Sequence, residues 1–306
     1  MALVKDPGPL QTRAKATMVK LQKAFPGEDG KARLASTYVS LANDVRDQLD
    51  QASPAKREKL MKAFTDLLEG IAKSSKDAGT LKWVAQTMMG MGESAMQPGE
   101  TKAAEGSEAA KLLAGASDIF QGLGGQDISI VYLRAKCQRL TGQYKPALDE
   151  LEKILKQKPT MLDAQFEAAL AYENWAGIVD KKFAERAYGS ALSGARKGDD
   201  GKNVIWGWGK ISKLTQRNQK FADKFFESRY HIAYCFLQIG RANKDENKKR
   251  ESIKAIRGVE SFDPNLGGAE QRAKFDRLLK TAQKEVGEKA TGLKPLTPAP
   301  AGAAAN

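Results

Sequence analysis

A chain of 306 residues with 41% hydrophobic content, a formal charge of +13, two cysteines and one histidine is long enough to bury a sizeable core, but it cannot build a disulfide framework or a histidine-rich metal site. No stretch approaches the roughly 20 apolar residues of a membrane span, and Met1 to Leu10 lacks the apolar centre of a secretory signal, so a cytoplasmic protein without membrane insertion is expected. Alternation of the strand type is almost absent while helical spacing recurs, which predicts an all-α fold.

The first 125 residues read as irregular helical hairpins, with helices expected at Leu10–Phe25, Lys31–Gln51, Pro54–Lys73, Thr80–Ala95 and Ser107–Gly122. Ser53 followed by Pro54 is a helix opening, and Leu60, Phe64, Leu67, Leu68 and Ile71 form a core-facing ridge behind it. Gly90, Gly92, Pro98 and Gly99 are expected to interrupt the fourth helix and make a long loop. Met88, Met89, Met91 and Met96 fit gap filling beside that loop better than a soft binding groove. Gly122-Leu-Gly-Gly has no strand before it and no phosphate-binding lysine after it, so it reads as a helix stop.

From Ile128 to Met161 the residues fall where two antiparallel helices need them. Ala135 and Ala147 are small enough for a close crossing, Gly142 can take the left-handed conformation that ends a helix, and Tyr144 follows at the turn. Leu148, Leu151 and Leu155 give the second helix an apolar stripe before Pro159 stops it. This stretch resembles the tetratricopeptide repeat family, although Val131, Gln138 and Ile154 depart from the residues that family favours. A second copy starts near Leu162, with Ala168, Ala169 and Tyr172 on one helix and Ala184, Tyr188 and Ala191 on the next. In a third, Ala233, Phe236 and a closing Gly240 precede an expected insertion, Arg241 to Lys249, and then Ile253, Ile256, Val259 and Pro264.

The resemblance implies a right-handed α-α superhelix, a solenoid of antiparallel hairpins over 126–286, that presents a concave surface to a peptide or partner helix. Asn203 to Ile211 and Phe225 to Tyr234 are also similar to segments of large bacterial tetratricopeptide proteins. The carboxylate-clamping activity of some members needs a Lys/Asn/Arg set, and Lys136 and Arg139 lack the asparagine. Residues 287–306, rich in Pro, Ala, Thr and Gly, are expected to form a disordered tail.

Catalysis is not indicated and no cofactor is expected. Cys137 and Cys235 occupy equivalent positions in the first and third copies and read as small buried hydrophobes. A Cys/His nucleophile would need one of them exposed beside His231, which helix packing opposes. No Asp/Glu couple is singled out.

Charge discriminates more sharply, because residues 201–250 hold 12 Lys/Arg against 4 Asp/Glu, a surplus of 8. Trp206, Lys210, Lys213, Arg217, Lys220 and Lys224 follow steps of four and three, so they share one side of a helix if it runs unbroken past Asn218, with Ile211, Leu214, Ala222 and Phe225 on the other. A solvated helix face accounts for such a ridge. Two functional readings compete with it. The ridge attracts an acidic protein segment, with Tyr132, Trp206 and Trp208 supplying flat apolar contact and Lys136, Arg139, Lys210, Lys213 and Arg217 supplying charge; or it grips nucleic-acid phosphates while the tryptophans stack on unpaired bases. Gly207 and Gly209, each worth about 1 kcal/mol against a helix, point to close backbone approach by a neighbour.

Overall fold

The computed structural model describes Lys20, residues 53–97 and residues 99–296. The helices expected at Leu10–Phe25 and Lys31–Gln51 lie outside the described residues but for Lys20, as does 297–306. Among the described residues the fold is all-α, broken only by one short hairpin of two three-residue strands. None of these helices is long and apolar enough to cross a membrane. The chain divides into two compact units, 1–143 and 144–306.

In the first unit α1 spans Pro54–Ser74, with Ser53 extended ahead of it and proline in its first turn. Phe64, Leu67, Leu68 and Ile71 are buried, as their spacing requires. α2, Ala78–Ala95, starts at Asp77, whose carboxylate accepts from the Thr80 amide at 2.7 Å. Contrary to expectation, Gly90 and Gly92 do not interrupt α2. A Cβ on Gly92 would stand 2.7 Å from Leu113 Cγ, so this glycine lets α2 lie close against α3, Glu108–Gly122. Met88 is buried and Met89, Met91 and Met96 border the same core. α4, Ile128–Leu140, closes as its glycine foretells: Gly142 is left-handed (φ 81°) and the Gln143 amide reaches Gln138 O at 2.7 Å.

The second unit runs through α5, Tyr144–Gln157; α6, Leu162–Ala176; α7, Lys181–Ser193; β1, Ala195–Lys197; β2, Asn203–Ile205; α8, Trp208–Thr215; a 3-10 turn, Gln219–Phe221; α9, Ala222–Asn243; α10, Glu246–Phe262; and α11, Ala269–Glu285. Short connections make successive helices antiparallel neighbours: α5 packs on α6, α6 on α7, α9 on α10, and α10 on α11. α9 is the central helix, since α7, α8 and α11 also pack against it. The alanines of the second expected copy, 168, 169, 184 and 191, are all buried, with Tyr172 and Tyr188.

Two expectations fail here for identifiable reasons. Residues 241–249 are not an insertion: α9 continues through Gly240 to Asn243, Lys244 turns left-handed (φ 54°), and Asp245 caps α10 by accepting from the Asn247 amide at 2.8 Å. Gly240 does not end a helix; it admits α10, because a Cβ there would meet Asp245 O at 2.9 Å. Nor do residues 287–296 form a loose tail. The amides of Gly292, Leu293 and Lys294 donate to Gln283, Asp276 and Glu260 at 3.0, 2.8 and 2.7 Å, and Arg257 donates to Gly292 O at 2.9 Å. Side chains hold this strap by its backbone, and Leu293 adds a partly buried apolar contact with the core between α9, α10 and α11.

Candidate functional site

α8 and its approach are fixed by the hairpin that precedes them. β1 and β2 pair antiparallel with Ala195 opposite Ile205 and Lys197 opposite Asn203. At the base of the hairpin Gly194 (φ 88°) faces Gly207. A Cβ on Gly207 would fall inside contact distance of the Leu192 carbonyl and 2.5 Å from the Gly194 amide, which is the close backbone approach expected of it. Arg196, itself left-handed (φ 58°), straps the hairpin to α5: its guanidinium meets Asp149 at 2.8 Å and also binds Glu152. The fully buried Gln165 of α6 finishes the stitching. Its amide donates to Val204 O at 3.0 Å and accepts from the Trp206 amide at 2.6 Å.

Trp208, the first residue of α8, is fully buried. Its indole donates to Glu173 Oε2 at 3.0 Å, and its ring stacks on His231 with centroids 4.5 Å apart, while Phe166 meets it edge-on at 4.7 Å. Glu173 is 5% exposed and collects donors from two helices: Trp208 of α8, and from α9 both His231 Nδ1, at 2.9 Å, and the Cys235 thiol, at 3.3 Å. Burial, and then the negative charge of Glu173, pushes the Cys235 thiol well up. Cys235 and His231 do lie on one carboxylate, yet the thiol is a buried hydrogen-bond donor there and not a thiolate nucleophile. Burial and the same charge push Tyr234 up to about 12. Tyr188 and Tyr230 are raised as well, burial leading in both.

With α8 anchored in this way, Trp208, Ile211, Ser212 and Thr215 face inward. Lys210, Lys213, Leu214 and Arg217 face outward at the complementary spacing. The continuous cationic ridge does not exist, because α8 ends at Thr215 and the chain passes through a turn capped by Asn218 before α9 begins. Leu214, expected on the apolar side, is 53% exposed among the cations.

The structure therefore sorts the expected contact residues. Trp208 is sealed inside the fold and cannot offer a flat surface. Trp206 is buried too, with the Lys210 ammonium 4.3 Å from its ring centre. Tyr132, Lys136 and Arg139 belong to the first unit, apart from the α8 residues in the division of the chain. There Lys136 pairs with Glu93 at 2.6 Å, Arg139 is 6% exposed and donates to Thr101 O at 3.4 Å, and Tyr132 is partly buried. Lys210, Lys213 and Arg217 remain as the outward cations, and none of the three forms an ion pair among the described residues. Glu173 and Gln165, which position this face, carry no sequence signal beyond being polar residues within an alanine-rich helix.

No known family model matches the chain, and no curated protein matches it. Among solved structures it is similar to one titled "DHF58 filament", at 16% identity and a TM-score of 0.22 over 90% of this chain and 96% of that one. Another, from "Computational Design of Self-Assembling Cyclic Protein Homooligomers", is matched at 13% identity and a TM-score of 0.18 over 91% and 94%.

Proposed function

We propose that the chain is a non-catalytic interaction scaffold of tetratricopeptide-like hairpins whose α8 face binds an acidic segment of a partner protein. The observation that carries this reading is the outward row of Lys210, Lys213 and Arg217, unmatched by carboxylates and bracketing the exposed Leu214. Unneutralised cations around one apolar side chain complement a segment that alternates acidic and aliphatic residues, and such complementarity sets association rate and selectivity. Nucleic-acid binding is the weaker reading, because both tryptophans that would stack on bases are buried.

The test uses the full chain and a fluorescent peptide with glutamates and leucines spaced three and four apart. Its affinity should fall about tenfold in the Lys213→Glu/Arg217→Glu double variant and weaken with added salt. Equal affinity in the two proteins contradicts the proposal. Tighter binding of single-stranded oligothymidine than of the peptide transfers the face to nucleic acid.

A further inference from the structure

Arg229 lies on the central helix α9, partly buried, and none of its nitrogens has a hydrogen-bond or ion-pair partner among the described residues. Every other partly buried arginine among the described residues is engaged; Arg196, Arg250, Arg257 and Arg272, for example, reach Asp149, Glu288, Glu260 and the Pro264 carbonyl. Burial by itself pulls the Arg229 pKa below the ordinary guanidinium value, so keeping this charge here opposes stability.

Its surroundings follow from the antiparallel pairing of α9 with α10. Phe225 packs on Phe262 with ring centroids 5.5 Å apart. One turn along each helix, Arg229 comes opposite Gly258, where even an added Cβ would stand 3.9 Å from Nη2. Gly258 thus leaves the guanidinium uncovered on the α10 side. On α9 the residues one turn away, Phe225, Phe226, Ile232 and Ala233, are buried and apolar, while Phe262 is 57% exposed at the open end of the rung.

We propose that Arg229 anchors one side-chain carboxylate of a partner protein, with Phe262 receiving the apolar residue beside it. The proposal rests on the reading that the chain binds acidic protein segments, but it uses residues of α9 and α10 and none of the α8 face. A lone guanidinium among apolar side chains fits a carboxylate on an apolar segment, since the planar fork takes two carboxylate oxygens at once. A phosphate chain needs cations in series. None stands one turn either side of Arg229 on α9, and on α10 the lysine one turn before Gly258, Lys254, is paired with Glu251 at 2.9 Å.

The arginine Nε–Hε resonances of the full chain read this site directly, with 3-phenylpropionate as probe and 3-phenylpropanamide and inorganic phosphate as comparisons. The Arg229 signal, identified by its absence in Arg229→Gln or, equally, in Arg229→Lys, should move saturably with the acid and stay in place with the amide. Phe262→Ala, an exposed change, should weaken the acid about threefold or more while the signal persists. Lys213→Glu/Arg217→Glu should leave the titration unchanged, which separates failure here from failure of the α8 face. No movement with the acid, equal movement with the amide, or stronger movement with phosphate overturns the proposal.

Discussion

Two parts of the second unit are both rich in lysine and arginine, and they differ in how much of that charge is paired. Around α10 and α11 many cations meet carboxylates: Arg241 and Lys249 share Glu285, Arg250 meets Glu288, Arg257 meets Glu260, and Lys280 meets Asp276, while Lys248, Arg277 and Lys284 form no ion pair among the described residues. On α8 and the turn after it, Lys210, Lys213 and Arg217 meet none among the described residues. A surplus counted along the sequence hides this difference, because Arg241, Lys249 and Arg250 lie within the basic stretch while the acids that neutralise them lie beyond it. Neutralised charge belongs to the fold, and the unneutralised charge of α8 is what we propose a partner uses.

The comparison depends on α8 being held rigidly outward, and the largest expected effects break that hold. Glu173→Ala strands the donors of Trp208, His231 and Cys235 and should cost about 3–5 kcal/mol in urea unfolding. An unchanged midpoint would mean that Glu173 does not anchor α8. Gly207→Ala drives a methyl into the Leu192 backbone, which has no flexible end to move aside, and should cost about 1–3 kcal/mol in the same measurement.

Raising pH should loosen the surroundings of Glu173 from another side. Tyr234 titrates near 12 in the fold against 10.0 ordinarily, so the unfolded chain releases this proton first. Its contribution is whole below pH 10 and is lost as pH climbs toward 12, which unfolding followed across that window should register as falling stability.

Smaller effects sharpen the contrast between the two regions. Glu285→Ala leaves Arg241 and Lys249 without their shared acid and should cost about 0.5–1 kcal/mol at low salt, less as salt rises. Lys213→Ala and Arg217→Ala, with no acid to lose, should shift stability by less than about 0.5 kcal/mol. If the α8 substitutions cost as much as Glu285→Ala, the distinction between folding charge and available charge collapses.

Sequence reveals most where one residue type has one structural use. Gly142 ends its helix in the left-handed conformation, and Ala168, Ala169, Ala184 and Ala191 are buried, because spacing and size alone decide those positions. Residues 241–249 mislead because polar composition is shared by loops and by exposed helix ends, and the sharp corner is made by Lys244, a residue without turn preference. The strap at 291–294 is held through its amides, which composition does not record. At the candidate site the basic spacing is visible, but the burial of Trp208 depends on Glu173, 35 positions earlier, and on His231, whose own bond to Glu173 spans 58. Separations of that length leave no local pattern.

We propose that the α8 face carries charge reserved for a partner, and the salt dependence of acidic-peptide binding is the decisive measurement. Log affinity should fall with log salt concentration in the wild-type chain, and the slope should flatten in Lys213→Glu/Arg217→Glu while unfolding stability stays the same. An unaltered slope in the double variant, with the protein folded, would contradict it.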